Sequence, residues 1–409
     1  MLAVLLLLGV FLMERTAYPP WMVDIFPQQL GAYFWKTGQP EWMYTPVAKN
    51  MEWRDHRAPV ANQLGAEGDP NTFLYPPFVA AVLAPLSETP AALWKNVLFG
   101  INILMIFVLA YQAMRISGAR TSWRSFLWSL ALILLCYPMA RAMKLGQIVP
   151  ILVAMCWAGL ILLQRRREWA GAMVLGLVSA IKIFPFALIL IPLAGQRIRA
   201  AAVWAGTVLA IFAVSLISMG IEVHRYWWEV MREFSGLVQP FFGNNAPLGW
   251  FARIYYHRPR FDVIPLSTPL LDTLRICGLI IFLGATVFVL WRKRQRLLGD
   301  DLALSAGLLL SGLHLALPIM WEHYWIFLLP PLAWALRRVW LFGKWDFWDL
   351  ELFTAAFFFL MKLTRFYGDD TLGLIMTGSQ TWGMFLLWIW FLHALWNLPD
   401  VDATVSRSL

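Results

Sequence analysis

Apolar stretches long enough to matter to a membrane recur along almost the whole chain, joined by short polar turns. Candidate spans fall at about 1–13, 91–113, 125–140, 147–163, 169–181, 184–194, 200–219, 270–291, 302–319, 324–336, 351–363 and 372–396. A helix needs roughly 20 apolar residues to cross a bilayer, fewer where it is broken or the bilayer thins. Only 14% of residues are charged and the mean hydropathy is +0.62, whereas a soluble domain carries about 25% charged residues. The expected fold is therefore an all-α polytopic membrane protein, one integral membrane domain over 1–409, with about 10–13 transmembrane helices. The first stretch is short for a span, so either the start lies upstream or an interfacial segment completes it.

Basic residues orient the bundle. Arg115/Arg120/Arg124, Arg165-Arg166-Arg167, Arg197/Arg199, Arg292-Lys293-Arg294/Arg296 and Arg337-Arg338 each follow or precede an apolar run and are expected on the cytoplasmic side. All five agree only if Leu74–Leu86, with three prolines in 13 residues, does not cross; it suits a re-entrant or surface segment. Two long extracytoplasmic regions result, 14–90 and 220–269. Each carries amphipathic pieces, Phe26, Leu30, Tyr33 and Phe34 in one and Trp227, Val230, Met231 and Phe234 in the other. These read as interfacial helices with aromatic faces in lipid. The formal charge of +9 resides in the topology-setting turns, so no nucleic-acid role is expected. Cys136, Cys156 and Cys277 lie inside apolar runs, with no zinc spacing and no disulfide framework.

Four polar clusters interrupt the apolar pattern: Arg141 to Gln147, Lys182 to Pro185, Gly243-Asn244-Asn245, and Trp321-Glu322-His323-Tyr324. Charge near bilayer depth is costly, so such residues mark a functional site by default. Arg141, Lys144, Lys182 and His323, with Arg253 and His257 in the second loop, are cations on the side where positive-inside bias disfavours them. A lipid phosphate at headgroup depth would account for that; snorkelling to headgroups is the plainer alternative for any one of them. Gln147 offers a donor and an acceptor to hydroxyls, and the amides of Asn244 and Asn245 could read a sugar, although turns use such residues more often. Glu322 beside His323 suits acid–base chemistry, but the pair is too small for a metal site. Asp24, ahead of an amphipathic helix, could be a helix cap or a general base taking a proton from an attacking hydroxyl. Asp55, Glu67 and Asp69 are fallback bases.

These residues resemble glycosyltransferase family 87, in the GT-C superfamily of polytopic, polyprenyl-phosphate-sugar-dependent transferases. The likeness runs over roughly residues 20–340. Asp24-Ile25-Phe26 through Ala32-Tyr33, then Gly38-Gln39-Pro40 and Tyr44, resemble the family's first-loop Asp, aromatic helix and turn. Tyr75-Pro76-Pro77-Phe78 with Ala84-Pro85-Leu86 is similar to its Tyr-Pro-Pro segment, and Gly146-Gln147, Lys182 to Pro185, Gly243-Asn244 and Trp321 with His323 match later landmarks in order. The chain departs at Val149, at Asn245-Ala246 and at His323-Tyr324, which bears on sugar and acceptor more than on reaction class.

The resemblance implies a polyprenyl-phosphate sugar donor, typically mannose, and a glycolipid or glycan acceptor. It also implies inverting transfer with Asp24 as base, Arg141, Lys144, Lys182 and His323 on the donor phosphate, and Gln147, Asn244, Asn245, Glu322 and Tyr75 around sugar and acceptor. No cofactor and no metal are expected. A monomer in a bacterial cytoplasmic (inner) membrane, its site extracytoplasmic, completes the expectation. Two rivals are a transporter or flippase for a lipid-linked or charged sugar, and an envelope scaffold whose polar clusters join helices.

Overall fold

A computed structural model describes residues 2–18, 23–44, 50–66, 72–116, 122–241, 243–256, 264–266, 268–299, 301–343, 345–360 and 378–398. His257, Glu67 and Asp69 lie outside these residues, as does the side chain of Asp55. α1 (Leu2–Ala17) covers the first apolar stretch, and the first long region holds α2 (Phe26–Lys36), α3 (Asn50–Gln63) and α4 (Pro77–Leu83). Then come α5 (Ala91–Ile116), α6 (Trp123–Leu134), α7 (Tyr137–Leu145), α8 (Val149–Gln164), α9 (Glu168–Ile181), α10 (Leu190–Ala194) and α11 (Ile198–Met219). The second long region carries α12 (Ile221–Ser235) and α13 (Pro247–Tyr255); α14 (Pro269–Gly278) and α15 (Ala285–Arg292) follow, with a π-helical segment between them. The remainder is α16 (Leu302–Ala316), α17 (Leu329–Phe342), α18 (Phe347–Leu360) and α19 (Ser379–Trp396). Among the described residues the only paired strands are Leu237–Val238 and Ile264–Pro265.

By length and composition α5, α11 and the rod Pro269–Arg292 can each cross a membrane, and α6 with α7 forms a fourth candidate bent by 63°. α8, α9 and α16 are apolar but only 16, 14 and 15 residues long. The architecture is that of an all-helical polytopic membrane protein.

Where lipid surrounds a bundle, close van der Waals contact replaces the hydrophobic effect between helices. α9 packs between α8 and α11 on that basis: a Cβ on Gly171 would lie 2.7 Å from the Gly159 carbonyl oxygen. All of α16 is buried, packed against α17 and α19. The antiparallel pair α8 and α9 sets the polarity of the molecule. Gln147 and Lys182 sit at one end, Arg165-Arg166-Arg167 at the other, roughly 24 Å away by helix rise.

The aromatic face of α2 meets protein, contrary to the expectation that it enters lipid. Phe26, Leu30 and Phe34 are buried in a second core with Tyr44, Phe73, Val79, Val223 and Val230, with Tyr33 and Trp227 packed on its edge. Periodicity identifies an apolar face but not what covers it, and here α4 supplies the cover. Leu74–Leu86 folds as α4 and one 3-10 turn. Pro76 and Pro77 open it, where a missing N–H costs nothing. At roughly 15 Å it is half the length of a crossing.

Candidate active site

The bend between α6 and α7 creates the floor of the site. Cys136 is extended, Pro138 occupies the first turn of α7, and the chain swings away by 63°. Arg141 and Lys144 therefore stand on a separate nine-residue helix, not in a turn. Three residues apart, they share a face. α7 ends at Gly146, whose φ of +72° is left-handed. The Gly146 N–H donates to Met143 O at 3.2 Å and the Gln147 N–H to Ala142 O at 2.9 Å, a Schellman-like close. A side chain in that conformation costs about 1–2 kcal/mol. Gly146→Ala is thus expected to lower Tm by a few degrees and to reduce activity through misplacement of Gln147.

That close directs Gln147 at Asp24. Gln147 Nε2 donates to Asp24 Oδ2 at 2.6 Å, and the Asp24 N–H donates to Leu145 O at 2.9 Å. The Gln147 carbonyl accepts from Asn102 Nδ2 at 3.0 Å, which ties the junction to α5. The cap position of α2 is Ile25, so the Asp24 carboxylate turns to the α7–α8 junction. Gln147 Oε1 is buried and has no hydrogen-bond partner. A buried orphan acceptor costs about 1–3 kcal/mol and is suited to an incoming hydroxyl.

Lys182 follows α9 in an extended conformation that ends the helix, within electrostatic reach of Asp24. Its Nζ lies 4.3 Å from the centroid of Tyr324 and 5.3 Å from that of Tyr75, within the range of cation–π attraction. Burial lowers the Lys182 ammonium to about 7, with the Asp24 charge pulling it back up. Burial, then Tyr324, then Asp24 raise the Tyr75 phenol well above its usual range. Tyr44 OH donates to Tyr75 O at 2.8 Å and anchors this segment in the second core.

Arg141 Nε meets Glu322 Oε1 at 2.7 Å, with side-chain exposures of 18% and 3%. The carboxylate assigned to sugar or acceptor is thus engaged by a cation assigned to phosphate. His323 is buried and packs edge-on against Tyr324 at 4.7 Å between centroids. Burial, Lys182 and Arg141 lower its pKa well below the usual imidazole range. At neutral pH it is an uncharged N–H donor, not a phosphate-balancing cation.

Asn244 and Asn245 knit the loop after α12 to the segment before α17. Asn244 Nδ2 donates to Gln239 O at 2.8 Å and Pro318 O at 3.3 Å, while its Oδ1 accepts from Ala246 N at 3.2 Å and Met320 N at 2.8 Å. Asn245 Nδ2 donates to Gln380 Oε1 at 2.8 Å, and Thr381 Oγ1 donates to Asn245 O at 2.9 Å. Arg253 is fully buried and donates to Phe241 O and Asn244 O at 3.0 and 3.3 Å. The Glu322 N–H then donates to Gly243 O at 3.0 Å, so this knot fixes Glu322 and His323. Asn244 spends its whole amide on backbone, and the loop cation Arg253 serves as a brace. Among the described residues no group of three or more His, Cys, Asp or Glu is gathered as metal ligands are.

The structure thus brings Asp24, Tyr75, Arg141, Gln147, Lys182, Glu322 and His323 to one end of the bundle, and Lys144 shares the α7 face of Arg141. Tyr324 completes the cation box around Lys182. It stands inside the Glu322-His323-Tyr324 cluster, but a lone Tyr after a titratable pair gives no sequence signal of its own.

The site is thus a cation-rich polar cluster at one end of an all-helical membrane bundle. The profile of glycosyltransferase family 87 matches residues 73–318, more than half the chain. The chain belongs to glycosyltransferase family 87. It is 30% identical over 282 residues to a polyprenol-phosphate-mannose-dependent alpha-(1-2)-phosphatidylinositol pentamannoside mannosyltransferase of Mycolicibacterium smegmatis, covering 66% of this chain and 62% of that one. The protein of that name from Mycobacterium tuberculosis is 29% identical over 282 residues, 65% and 59% of the two chains. An alpha-(1->3)-arabinofuranosyltransferase of Corynebacterium glutamicum is 25% identical over 366 residues, 86% and 80%. The match to the two mannosyltransferases spans about three fifths of their length. Tyr75, Arg141, Lys144, Gln147, Lys182, Asn244 and Asn245 fall within the family match, whereas Asp24, Glu322 and His323 lie outside it.

Proposed function

We propose that this protein transfers mannose from a polyprenyl-phosphate donor to a hydroxyl of a glycolipid or glycan acceptor, inverting the anomeric centre. The observation that carries the proposal is the Asp24 carboxylate, held by Gln147 at 2.6 Å and within electrostatic reach of Lys182. The acceptor oxygen attacks the anomeric carbon as its proton passes to Asp24. The bond from that carbon to the phosphate oxygen breaks, and the polyprenyl phosphate leaves with one more negative charge. Lys182, Arg141 and Lys144 receive that charge in a water-poor site, already oriented, which is the most effective form of transition-state stabilisation. His323 offers an N–H to the phosphate, and Gln147 Oε1 accepts from a hydroxyl of sugar or acceptor. With this many cations placed, no divalent metal is required. Asn244, Asn245 and Arg253 hold the scaffold in this account, and Glu322 positions Arg141.

Every residue invoked comes from one chain, so a monomer suffices. The site end of α8 and α9 faces the extracytoplasmic leaflet of a bacterial cytoplasmic membrane, with the arginine turns inside. A transporter would need these residues to open toward both ends, whereas Gln147 and Lys182 sit at one.

The test is a transfer assay on purified, reconstituted protein with a membrane-lipid extract as acceptor. Radiolabelled polyprenyl-phosphate mannose, polyprenyl-phosphate arabinose and GDP-mannose are offered separately, with and without EDTA. Label is expected to move from the polyprenyl-phosphate mannose alone, and EDTA is expected to leave the rate unchanged. Transfer from the nucleotide sugar would refute the proposal.

Donor binding should also depend on pH in a stated direction. The phosphodiester keeps its charge across the range, while Lys182 loses its own as pH rises through about 7. Binding above that pH must take up a proton, so the donor Kd is expected to rise by up to about tenfold per pH unit. Lys182→Arg, charged throughout, should flatten the profile. Titration of a labelled donor at pH 6 to 9 reads both.

A further inference from the structure

At the opposite end of α8 and α9 lies a second polar cavity, about 210 Å³, lined by Gln164, Arg166, Arg197, Arg294 and Gln295 together with Gly195, Leu298 and Gly299. Three separate turns build it, and they are stitched together. Gln164 Nε2 donates to Gly299 O at 2.9 Å, and Arg197 Nη1 donates to Leu163 O at 2.8 Å. These two bonds tie the three turns to one another. Two of its turns carry non-glycine residues in the left-handed region, Arg166 at φ +62° and Gln196 at φ +57°. Both close the preceding helix, the Arg167 N–H donating to Leu162 O at 2.9 Å and the Arg197 N–H to Pro192 O at 2.8 Å, which sets the paths of the two turns.

Positive charge is in excess: Arg166 repels Arg197, and the Glu168 carboxylate, 30% exposed and 3.6 Å from Arg197, offsets one of the three lining arginines. α9 and α11 begin beside the cavity where α8 and α10 end, so the helix dipoles offset one another and the positive charge rests on the three guanidinium groups. Trp291, 59% exposed, has its ring centroid 5.4 Å from the Arg294 guanidinium carbon, and the exposed Trp169 and Ile198 follow the lining arginines closely in sequence. Exposed tryptophans of this kind sit at headgroup depth.

We propose that this cavity binds the phosphate of an anionic phospholipid in the leaflet facing the arginine turns. Guanidinium forks match phosphate oxygens, basic pockets between membrane helices take such head groups, and the exposed Trp291 beside Arg294 belongs at headgroup depth. The site is independent of the sugar-transfer reading, since none of its residues belongs to that machinery.

The test uses purified full-length protein stripped of lipid in a neutral detergent, followed by thermal unfolding. The added probes are dihexanoyl phosphatidylglycerol, dihexanoyl phosphatidylcholine and inorganic phosphate. Phosphatidylglycerol is expected to raise Tm, at concentrations at least about tenfold below those needed with inorganic phosphate, and phosphatidylcholine to leave it unchanged. In Arg166→Gln/Arg294→Gln, the phosphatidylglycerol concentration giving half the shift should rise by at least about tenfold. Arg199→Gln/Arg292→Gln, at the same end but outside the cavity, should keep the wild-type response. The single variants Arg166→Gln and Arg294→Gln give the same readout should the pair fold poorly. Equal effects of phosphatidylglycerol and phosphatidylcholine, equal potency of free phosphate, or an equal loss in the Arg199/Arg292 pair would each overturn the proposal.

Discussion

Asp24→Asn is expected to lower the transfer rate by about 100- to 10,000-fold, the range a general base contributes, while the protein folds and binds donor. Asn keeps the shape and still offers an oxygen to Gln147 Nε2, now 2.6 Å from the carboxylate, but it cannot take the acceptor proton. Losing the Asp24 charge has a second effect. That charge supports protonation of Lys182, which burial lowers to about 7, so the variant's ammonium titrates lower still. Donor affinity should therefore be compared over a pH series extending below 6, where protonation of the amine is restored, and the rate measured in a single turnover. A variant that transfers at the wild-type rate would remove Asp24 from the mechanism.

Asn244→Ala should produce the largest loss of stability, about 3 kcal/mol or more, since each buried polar group left unpaired costs about 1–3 kcal/mol. The substitution orphans the N–H groups of Ala246 and Met320 and two carbonyls, those of Gln239 and Pro318. Arg253, anchored on the same loop through Asn244 O, loses its seat, and the Glu322–Gly243 contact loosens with it. Thermal unfolding should show a fall in Tm of several degrees, accompanied by loss of transfer. Were Asn244 a sugar-reading residue instead, Tm would hold and only the donor Kd would change.

Much of this molecule is legible before its structure. Apolar run length and turn charge are enough for a helical membrane bundle, because burying unpaired backbone or charge in hydrocarbon is so costly that few alternatives survive. The same cost makes Arg141, Gln147, Lys182 and His323 conspicuous, and they do converge with Asp24. What stays hidden is which partner satisfies each group. An amide such as Asn244 reads identically whether it meets a sugar or a backbone carbonyl. Glu322 looks available until Arg141 is folded against it, and the face of Phe26, Leu30 and Phe34 looks lipid-directed until α4 covers it. The bend at Cys136–Pro138 is foreshadowed by proline, but its 63° angle comes from packing of α7 on α1 and on the Glu322–Leu328 turn.

Sidedness is the central claim, because one pocket must present a base to the acceptor and cations to a lipid phosphate on the same face. The direct measurement is labelling of Asp24→Cys, Lys144→Cys and Arg166→Cys, each in a Cys277→Ser background, by a membrane-impermeant maleimide in oriented vesicles. Positions 24 and 144 should label from one side and position 166 from the other; labelling of 24 and 144 from opposite sides would contradict the account.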